Sequence, residues 1–233
     1  MWSSGVAMSY REVGSIKIAV DAEVEVYVNG EKSAVFISAP VDLEALAYGY
    51  LYSEGYIDDI SQARLKIEGT RIWAEVPRGR RTMVVSYAED CGVAPLIKFR
   101  KGGEVPLEVA VELAREFTKY TIWHVEPELA MHTSALYVDG VWLVVHDTSR
   151  HSGVVKLVGR YLMEGLKGQK KIGFTTGRVS ADIVNRLASI GVSAIVSLRG
   201  PLYSGVEAAC KLGIPLIANV KTRGFTLLCP SNI

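Results

Sequence analysis

The chain has 233 residues, 49% of them apolar, and a formal charge of +1. That length holds one large domain or two small ones, and that apolar share can bury a sizeable core. The balanced charge argues against a general nucleic-acid binder, no apolar run reaches the length of a membrane span, and the opening MWSSGVAMSYREVG lacks the apolar core of a signal peptide; the expectation is a soluble cytoplasmic protein without nucleic-acid or membrane contacts.

Met1 to Ser15 reads as a leader or an edge strand. From Ile16 apolar residues alternate through Ile18, Val20, Val24, Val26 and Val28, then Asn29-Gly30, then Ala34 to Ile37. Asn-Gly between two alternating runs is the strongest short hairpin signal. Pro40 and Asp42 open a helix, LEALAYGYLYSEG, that Gly55 stops. Its tyrosines are expected to pack between layers, because no basic residues interleave them as a nucleic-acid stacking platform requires. Arg71–Val76 and Thr82–Ser86 read as a second hairpin around Pro77-Arg78-Gly79. Tyr87 to Pro95 has no periodicity and reads as a loop, mobile over Glu89–Pro95.

Pro106 opens an amphipathic helix with Leu107, Ala110, Leu113, Ala114 and Phe117 on one face, expected to bridge the two halves of the chain. A hairpin follows, Ala135–Val138 and Val141–Val145 around Asp139-Gly140. It runs into a crowded polar turn, His146-Asp147-Thr148-Ser149-Arg150-His151, and a helix carrying Val154, Val155, Leu157, Val158, Tyr161 and Leu162. A turn needs far less polar chemistry to close, although an Asp- or Ser-capped helix with solvated charges would read much the same. Strands at Ile172–Thr175, Ala194–Ser197 and Pro215–Asn219 then alternate with helices at Ser180–Ile190 and Tyr203–Leu212, and Phe225–Cys229 closes the chain. This alternation implies a parallel or mixed sheet covered by helices on both faces.

In an open α/β sheet, ligands bind outside the carboxyl ends of the strands. The residues after four predicted strands are His146 to His151, Thr175 to Ser180 (with Gly177 and Arg178), Ser197 to Pro201 (with Arg199 and Gly200), and Asn219 to Gly224. Each offers a basic side chain with hydroxyl or amide neighbours, and three add a glycine that lets backbone amides approach a ligand. One Gly-Arg turn is commonplace. Four on one edge point to a multiply anionic ligand, a nucleotide or phosphorylated cofactor, because guanidinium forks match phosphate oxygens. No G-x-G-x-x-G or Walker sequence supports dinucleotide redox chemistry or NTP hydrolysis.

The cysteines, Cys91, Cys210 and Cys229, offer neither a disulfide framework nor zinc-ligand spacing. Cys210 on an apolar helix face and Cys229 at a strand end read as small buried hydrophobes. Cys91, in a polar loop before Gly92, is the nucleophile candidate, although Glu89 and Asp90 would raise its pKa. His132 and His124 stand alone, and lone histidines are more often structural. The His-x-Glu and Pro-Cys-x-x-Cys elements of a zinc deaminase are absent, so no metal site is expected.

From about Asp21 to Leu228 the chain resembles the formate dehydrogenase accessory sulfurtransferases, the FdhD family. HDTSRHSGVVKLVG is similar to that family's E-D-V-G-R-H-N-x-x-D-K-x-x-G signature, with Asp147, Arg150, His151, Lys156 and Gly159 matching. TTGRVSADIV resembles its S-G-R-x-S motif at Gly177, Arg178 and Ser180, and His132 falls where the family has a histidine ahead of a small-residue strand. The resemblance implies a sulfur carrier. A persulfide on Cys91 would pass from a cysteine desulfurase to the molybdenum cofactor of formate dehydrogenase or a related molybdoenzyme. It further implies a homodimer. Bis(molybdopterin guanine dinucleotide), or a guanine nucleotide such as GDP as its mimic, would sit on Asn219, Val220, Lys221, Thr222, Arg223 and Gly224. Arg150, His151, Gly177, Arg178, Ser180, His132 and Arg199 would complete that seat. Residues 1–104 would form a smaller β-rich α+β domain ending in the Cys91 loop. Residues 105–233 would form an α/β domain similar to the cytidine deaminase fold, without its zinc. The family's C-x-x-C loop reads Cys91-Gly92-Val93-Ala94 here, and Ser152, Val155 and His146 replace the signature's Asn, Asp and Glu. A single thiol can hold a persulfide but lacks a resolving partner. The alternative is a molybdopterin-nucleotide binding module or chaperone without chemistry; a deaminase-type hydrolase lacks its zinc ligands.

Overall fold

The computed structural model describes residues 8–77, 98–221 and 224–229, and the backbone of 85–87. An exposed hairpin comes first, β1 (Tyr10–Val13) with β2 (Ile16–Ala19). The long alternating run therefore breaks before β3 (Ala22–Val28), which pairs with β4 (Glu31–Ser38) around Asn29 and Gly30. Their φ of 50° and 87° are the left-handed values that an Asn-Gly turn supplies. Helix α1 (Leu43–Ser53) follows and ends before Gly55, at φ 77°.

The second N-terminal hairpin differs from the sequence expectation. Strand β6 (Arg71–Glu75) pairs antiparallel with β5 (Arg64–Glu68), not with the segment after Pro77, and parallel with β3. Strand β7 (Val85–Tyr87) instead joins the far edge, parallel to β4, giving the order β5-β6-β3-β4-β7. The expected loop Glu89–Pro95, with Cys91, lies outside the described residues.

The second half opens with α2 (Leu107–Phe117) and the single turn α3 (Ile122–Val125). Strands β8 (His132–Val138) and β9 (Val141–Asp147) form the expected Asp-Gly hairpin. Then come α4 (Arg150–Met163), β10 (Lys171–Thr175), α5 (Ala181–Ser189), β11 (Ala194–Ser197), α6 (Tyr203–Leu212), β12 (Leu216–Lys221) and β13 (Gly224–Leu228). The sheet order is β13-β12-β11-β10-β8-β9, with β10, β11 and β12 parallel. The architecture is thus two-domain α/β, a smaller N-terminal sheet and a larger mixed sheet flanked by helices.

Helices α1 and α4 lie between the two sheets in one continuous core that runs from Val24, Val26 and Phe36 to Leu136, Ile195 and Leu216. They cross backbone to backbone. A Cβ at Gly49 would overlap the carbonyl oxygen of Val155, and one at Gly159 would overlap that of Ala45. The tyrosines of α1 do pack between layers: the Tyr50 hydroxyl lies 2.7 Å from Ser33 Oγ, and Tyr52 donates to the carbonyl of Ser189 at 3.3 Å. Helix α2 does not bridge the halves. Its apolar face covers the other side of the larger sheet, where Phe117 and Trp142 pack on Phe174 with ring centroids 5.3 and 5.0 Å away.

One further expectation is corrected. Cys210 and Cys229 are not separate buried thiols; they form a disulfide that ties α6 to the end of β13. Nothing in their spacing announces it, because helix and strand meet only once the sheet is assembled.

Candidate functional site at the carboxyl strand edge

Strand β8 runs antiparallel to both β9 and β10. Strands β9, β10, β11 and β12 therefore all end on one edge, where β8 begins at His132, opposite Asp147. The turns that leave this edge are stitched together. Gly177 donates to Thr175 Oγ1 at 3.0 Å and accepts at its carbonyl from Ser197 Oγ at 2.7 Å. Arg199 donates to that same Ser197 Oγ at 3.0 Å, and Asn219 donates to the Arg199 carbonyl at 3.1 Å. Gly177 cannot carry a side chain here: its Cβ would stand 2.9 Å from the Cβ of Arg150.

The polar stretch after β9 is shorter and drier than its composition suggests. The strand includes His146 and Asp147, and α4 begins at Arg150. Asp147 and Lys156 are fully buried, with Nζ 2.6 Å from Oδ2. Lys156 also donates to the Ala39 carbonyl at 2.8 Å, while Ser38 Oγ and the amides of Ala39 and Ser149 donate to the Asp147 carboxylate. Every contact of this pair faces inward, so these two signature residues clamp the N-terminal half onto α4. His146 is equally structural. The amide of Ile122 donates to Thr133 Oγ1, and that hydroxyl shares a hydrogen bond with His146 Nδ1 at 3.0 Å. Burial pushes the His146 pKa down to about 4. An unfolded histidine titrates near ~6.5, so the neutral imidazole contributes on the order of 3 kcal/mol that is present at pH 7 and lost as pH falls from about 6.5 to about 4. The urea midpoint should drop across that window, and His146→Gln, which keeps an acceptor for Thr133, should flatten the drop.

A second buried network joins three elements. His151 Nδ1 lies 3.0 Å from Asp182 Oδ2, Arg186 Nε lies 3.0 Å from Asp182 Oδ1, and Arg186 Nη2 lies 3.1 Å from Glu54 Oε1. Burial alone would raise the Asp182 pKa, but the Arg186 guanidinium, and then His151, outweigh it and hold the carboxyl below its ordinary value.

The outer tier is different in kind. Arg115, Thr118, Trp123, Leu198, Arg199, Val220 and Lys221 line a cavity of about 450 Å³. Trp123 is 47% exposed, and the Arg199 guanidinium stands 5.9 Å from its ring centroid. A π-face beside three cations can stack a planar ring and hold an anion. A larger hollow of about 870 Å³ lies near Glu104, Glu108 and Lys170. It sits by the opening of β10, away from every turn described above.

The expected seat residues therefore separate. Arg199, Val220 and Lys221 share the outer cavity, which Arg150 and His151 do not line. Arg150, His151, Gly177 and Ser180 are buried; His132 is half-buried; Arg178, Asn219 and Gly224 are exposed. Cys91, Thr222 and Arg223 lie outside the described residues. Sequence reading missed Arg115 and Trp123, which precede the sheet, and Asp182, Arg186 and Glu54. Only the i, i+4 spacing of Asp182 and Arg186 hinted at a pair.

The model of the FdhD/NarQ family matches residues 19–232. The chain belongs to the FdhD/NarQ family. It is 27% identical to the sulfur carrier protein FdhD of Methanothermobacter thermautotrophicus over 91% of this chain and 88% of that one. It is 26% identical to the sulfur carrier protein FdhD of Staphylococcus aureus, over 87% and 83%. Its fold is similar to the crystal structure of a Desulfotalea psychrophila protein assigned to formate dehydrogenase accessory proteins, with a TM-score of 0.73, 21% identity and 97% of each chain covered. Within this FdhD/NarQ chain the disulfide engages two cysteines, and Cys91 is the one outside that pair.

Proposed function

We propose that this chain is a sulfur carrier. Cys91 accepts sulfane sulfur from a cysteine desulfurase and delivers it to the molybdenum cofactor of formate dehydrogenase or a related molybdoenzyme. The observation that carries the reading is family membership across residues 19–232, joined to a disulfide that removes Cys210 and Cys229 as competing thiols. A carrier needs one thiolate. Sulfur then leaves by direct attack of the acceptor, since the loop has no second cysteine to expel it.

The client is bis(molybdopterin guanine dinucleotide), and its chemistry fits the residues at the strand edge. Trp123 offers a face to a guanine ring, and Arg115, Arg199 and Lys221 offer charge to phosphates. Four strand spacings separate β9 from β12, about 19 Å, room for an extended nucleotide. In this reading residues 105–233 are a cytidine-deaminase-like domain without zinc, residues 1–104 form the smaller domain, and the protein works in the cytoplasm as a homodimer. A second reading, cofactor binding without sulfur chemistry, draws on Ala94 standing where the family has its second cysteine.

Intact-mass analysis after incubation with a desulfurase and cysteine tests the reading. A sulfur adduct is expected on the wild type and not on Cys91→Ala. An adduct that survives in Cys91→Ala removes that residue, and no adduct on either protein favours the binding module. GDP should bind both proteins equally. Arg199→Glu or Trp123→Ala should weaken GDP at least about tenfold, with added salt acting in the same direction; unchanged titration isotherms would move the nucleotide elsewhere.

A further inference from the structure

We infer that the Cys210–Cys229 disulfide is a redox latch on the outer cavity. Closed, it holds in place the end of β12 that carries Val220 and Lys221; opened by a small thiol, it loosens that wall and weakens the anionic ligand. The inference rests on the nucleotide-seat reading and adds to it the condition under which the seat is complete.

Helix α6 is the fixed post. The amide of Leu202 donates to the Val179 carbonyl at 2.8 Å, and a Cβ at Gly205 would stand 2.3 Å from that same carbonyl oxygen. The helix is thus seated on the turn after β10 with no room to move closer. Strand β12 is held to β11 through two register pairs, Ile195 with Leu216 and Val196 with Ile217. Past Ile217 its described backbone contacts are the Asn219 amide on the Arg199 carbonyl and the ladder to β13, Ala218 with Thr226 and Lys221 with Gly224. The cavity residues Val220 and Lys221 therefore lean on β13. Strand β13 is the edge of its sheet, neighbours β12 only, and is exposed over Gly224, Phe225 and Thr226. A strand with so little buried contact opens at low free energy.

The bond to Cys210 pins β13 at the point where it leaves the sheet. Cys229 sits there at φ 54°, a left-handed conformation that costs free energy for any residue with a Cβ. Opening the bond removes the restraint that keeps it there. A strand that peels from that end withdraws Leu228 first, then Thr226 and Gly224, the partners of Leu216, Ala218 and Lys221.

The chemistry balances with a low-molecular-weight thiol, RSH, as reductant. Cys210 is exposed and Cys229 buried, so Cys210 is the side of the bond open to attack. The thiolate RS⁻ attacks Cys210 Sγ, a mixed disulfide forms, and Cys229 leaves as a thiolate that takes a proton. A second RS⁻ attacks the sulfur of the bound small thiol and releases Cys210. The sum is protein(S–S) + 2 RSH → protein(SH)₂ + RSSR.

Titration calorimetry with GDP and hydrogen exchange of the full chain test this in three forms: oxidised, reduced by dithiothreitol, and carrying Cys210→Ser with Cys229→Ser. The last two should bind GDP about tenfold more weakly and exchange about tenfold faster over Ala218–Lys221, with Lys171–Thr175 unchanged. Reoxidation of the wild type should restore both readings. The double variant lacks the bond without any reductant, which separates it from the state of Cys91; chemical reduction covers the case in which the variant fails to fold. A loss of affinity on reduction that a folded double variant does not share points to another thiol and overturns the inference. Equal GDP affinity in the oxidised and reduced chains, with Arg199→Glu still weakening GDP, overturns the latch and leaves the seat standing. A bond that stays closed in reduced glutathione, read by alkylation and intact mass, is a permanent staple and overturns the latch as well. No GDP binding by the oxidised chain overturns the nucleotide seat itself, and the latch with it.

Discussion

Lys156→Met should lose about 3–5 kcal/mol of stability, the usual cost of leaving one buried charge without its partner. The Nζ of Lys156 and the carboxylate of Asp147 have no access to solvent, and methionine fills the stem of the lysine while removing only its charge. Asp147 would keep its three other donors, from Ser38, Ala39 and Ser149, but would carry an uncompensated charge. Replacing a buried ion pair by two apolar residues is often neutral. Here it should not be: Lys156→Met with Asp147→Leu would orphan those three donors, so the double variant should recover less than half of the loss. Urea denaturation of the two single variants and the double decides this; full recovery would show that the pair is an ordinary buried salt bridge and not a clamp.

Gly49→Ala and Gly159→Ala should each prevent folding or cost at least about 3 kcal/mol, at the upper end for overpacking. Helix propensity alone predicts the reverse, a gain of about 1 kcal/mol for alanine over glycine inside a helix. The sign changes because the new methyl would overlap the carbonyl of Val155 or Ala45, which are backbone atoms of the opposing helix and cannot rotate away. Gly153→Ala is the control within α4. Its methyl would meet side-chain atoms only, Ser134 Oγ at 3.2 Å and the Asp147 Cβ at 3.4 Å, tight contacts that a shift of a few tenths of an ångström relieves, so its melting temperature should fall less than that of either other variant. Equal melting temperatures for all three variants would mean that α1 and α4 can slide apart.

The features legible in the sequence are those whose cause is local. Asn29-Gly30 and Asp139-Gly140 must adopt positive φ, and each residue type announces it. The limits of β11 and α6 could be read from apolar runs and from Gly213, whose φ is 64°. Pairing between distant strands could not be read. Arg64, Lys66 and Glu68 interrupt Leu65 and Ile67, so the edge strand β5 resembled a polar linker, and its partner β6 was matched to the wrong neighbour. The strand edge was legible for the same local reason, since each strand end carries its own basic side chain and three of the four add a glycine. The division of that edge into a buried tier and an open cavity was not. It depends on Glu54 and Arg186, 132 positions apart, and on α2 and α3 bringing Arg115 and Trp123 to the far side.

The Cys210–Cys229 bond has a consequence for anyone handling this protein. It closes a covalent ring over positions 210–229, which contains the whole 219–224 stretch. A protease that cuts within that ring would release no fragment on a non-reducing gel, because both sides of the nick stay joined. The same bond governs the arithmetic of any labelling assay. A maleimide should count one cysteine in the oxidised chain, and a reductant strong enough to strip a persulfide from Cys91 would also open the ring and raise the count to three. Sulfur release and loss of the tether would then register as a single event unless the two are separated by peptide mapping.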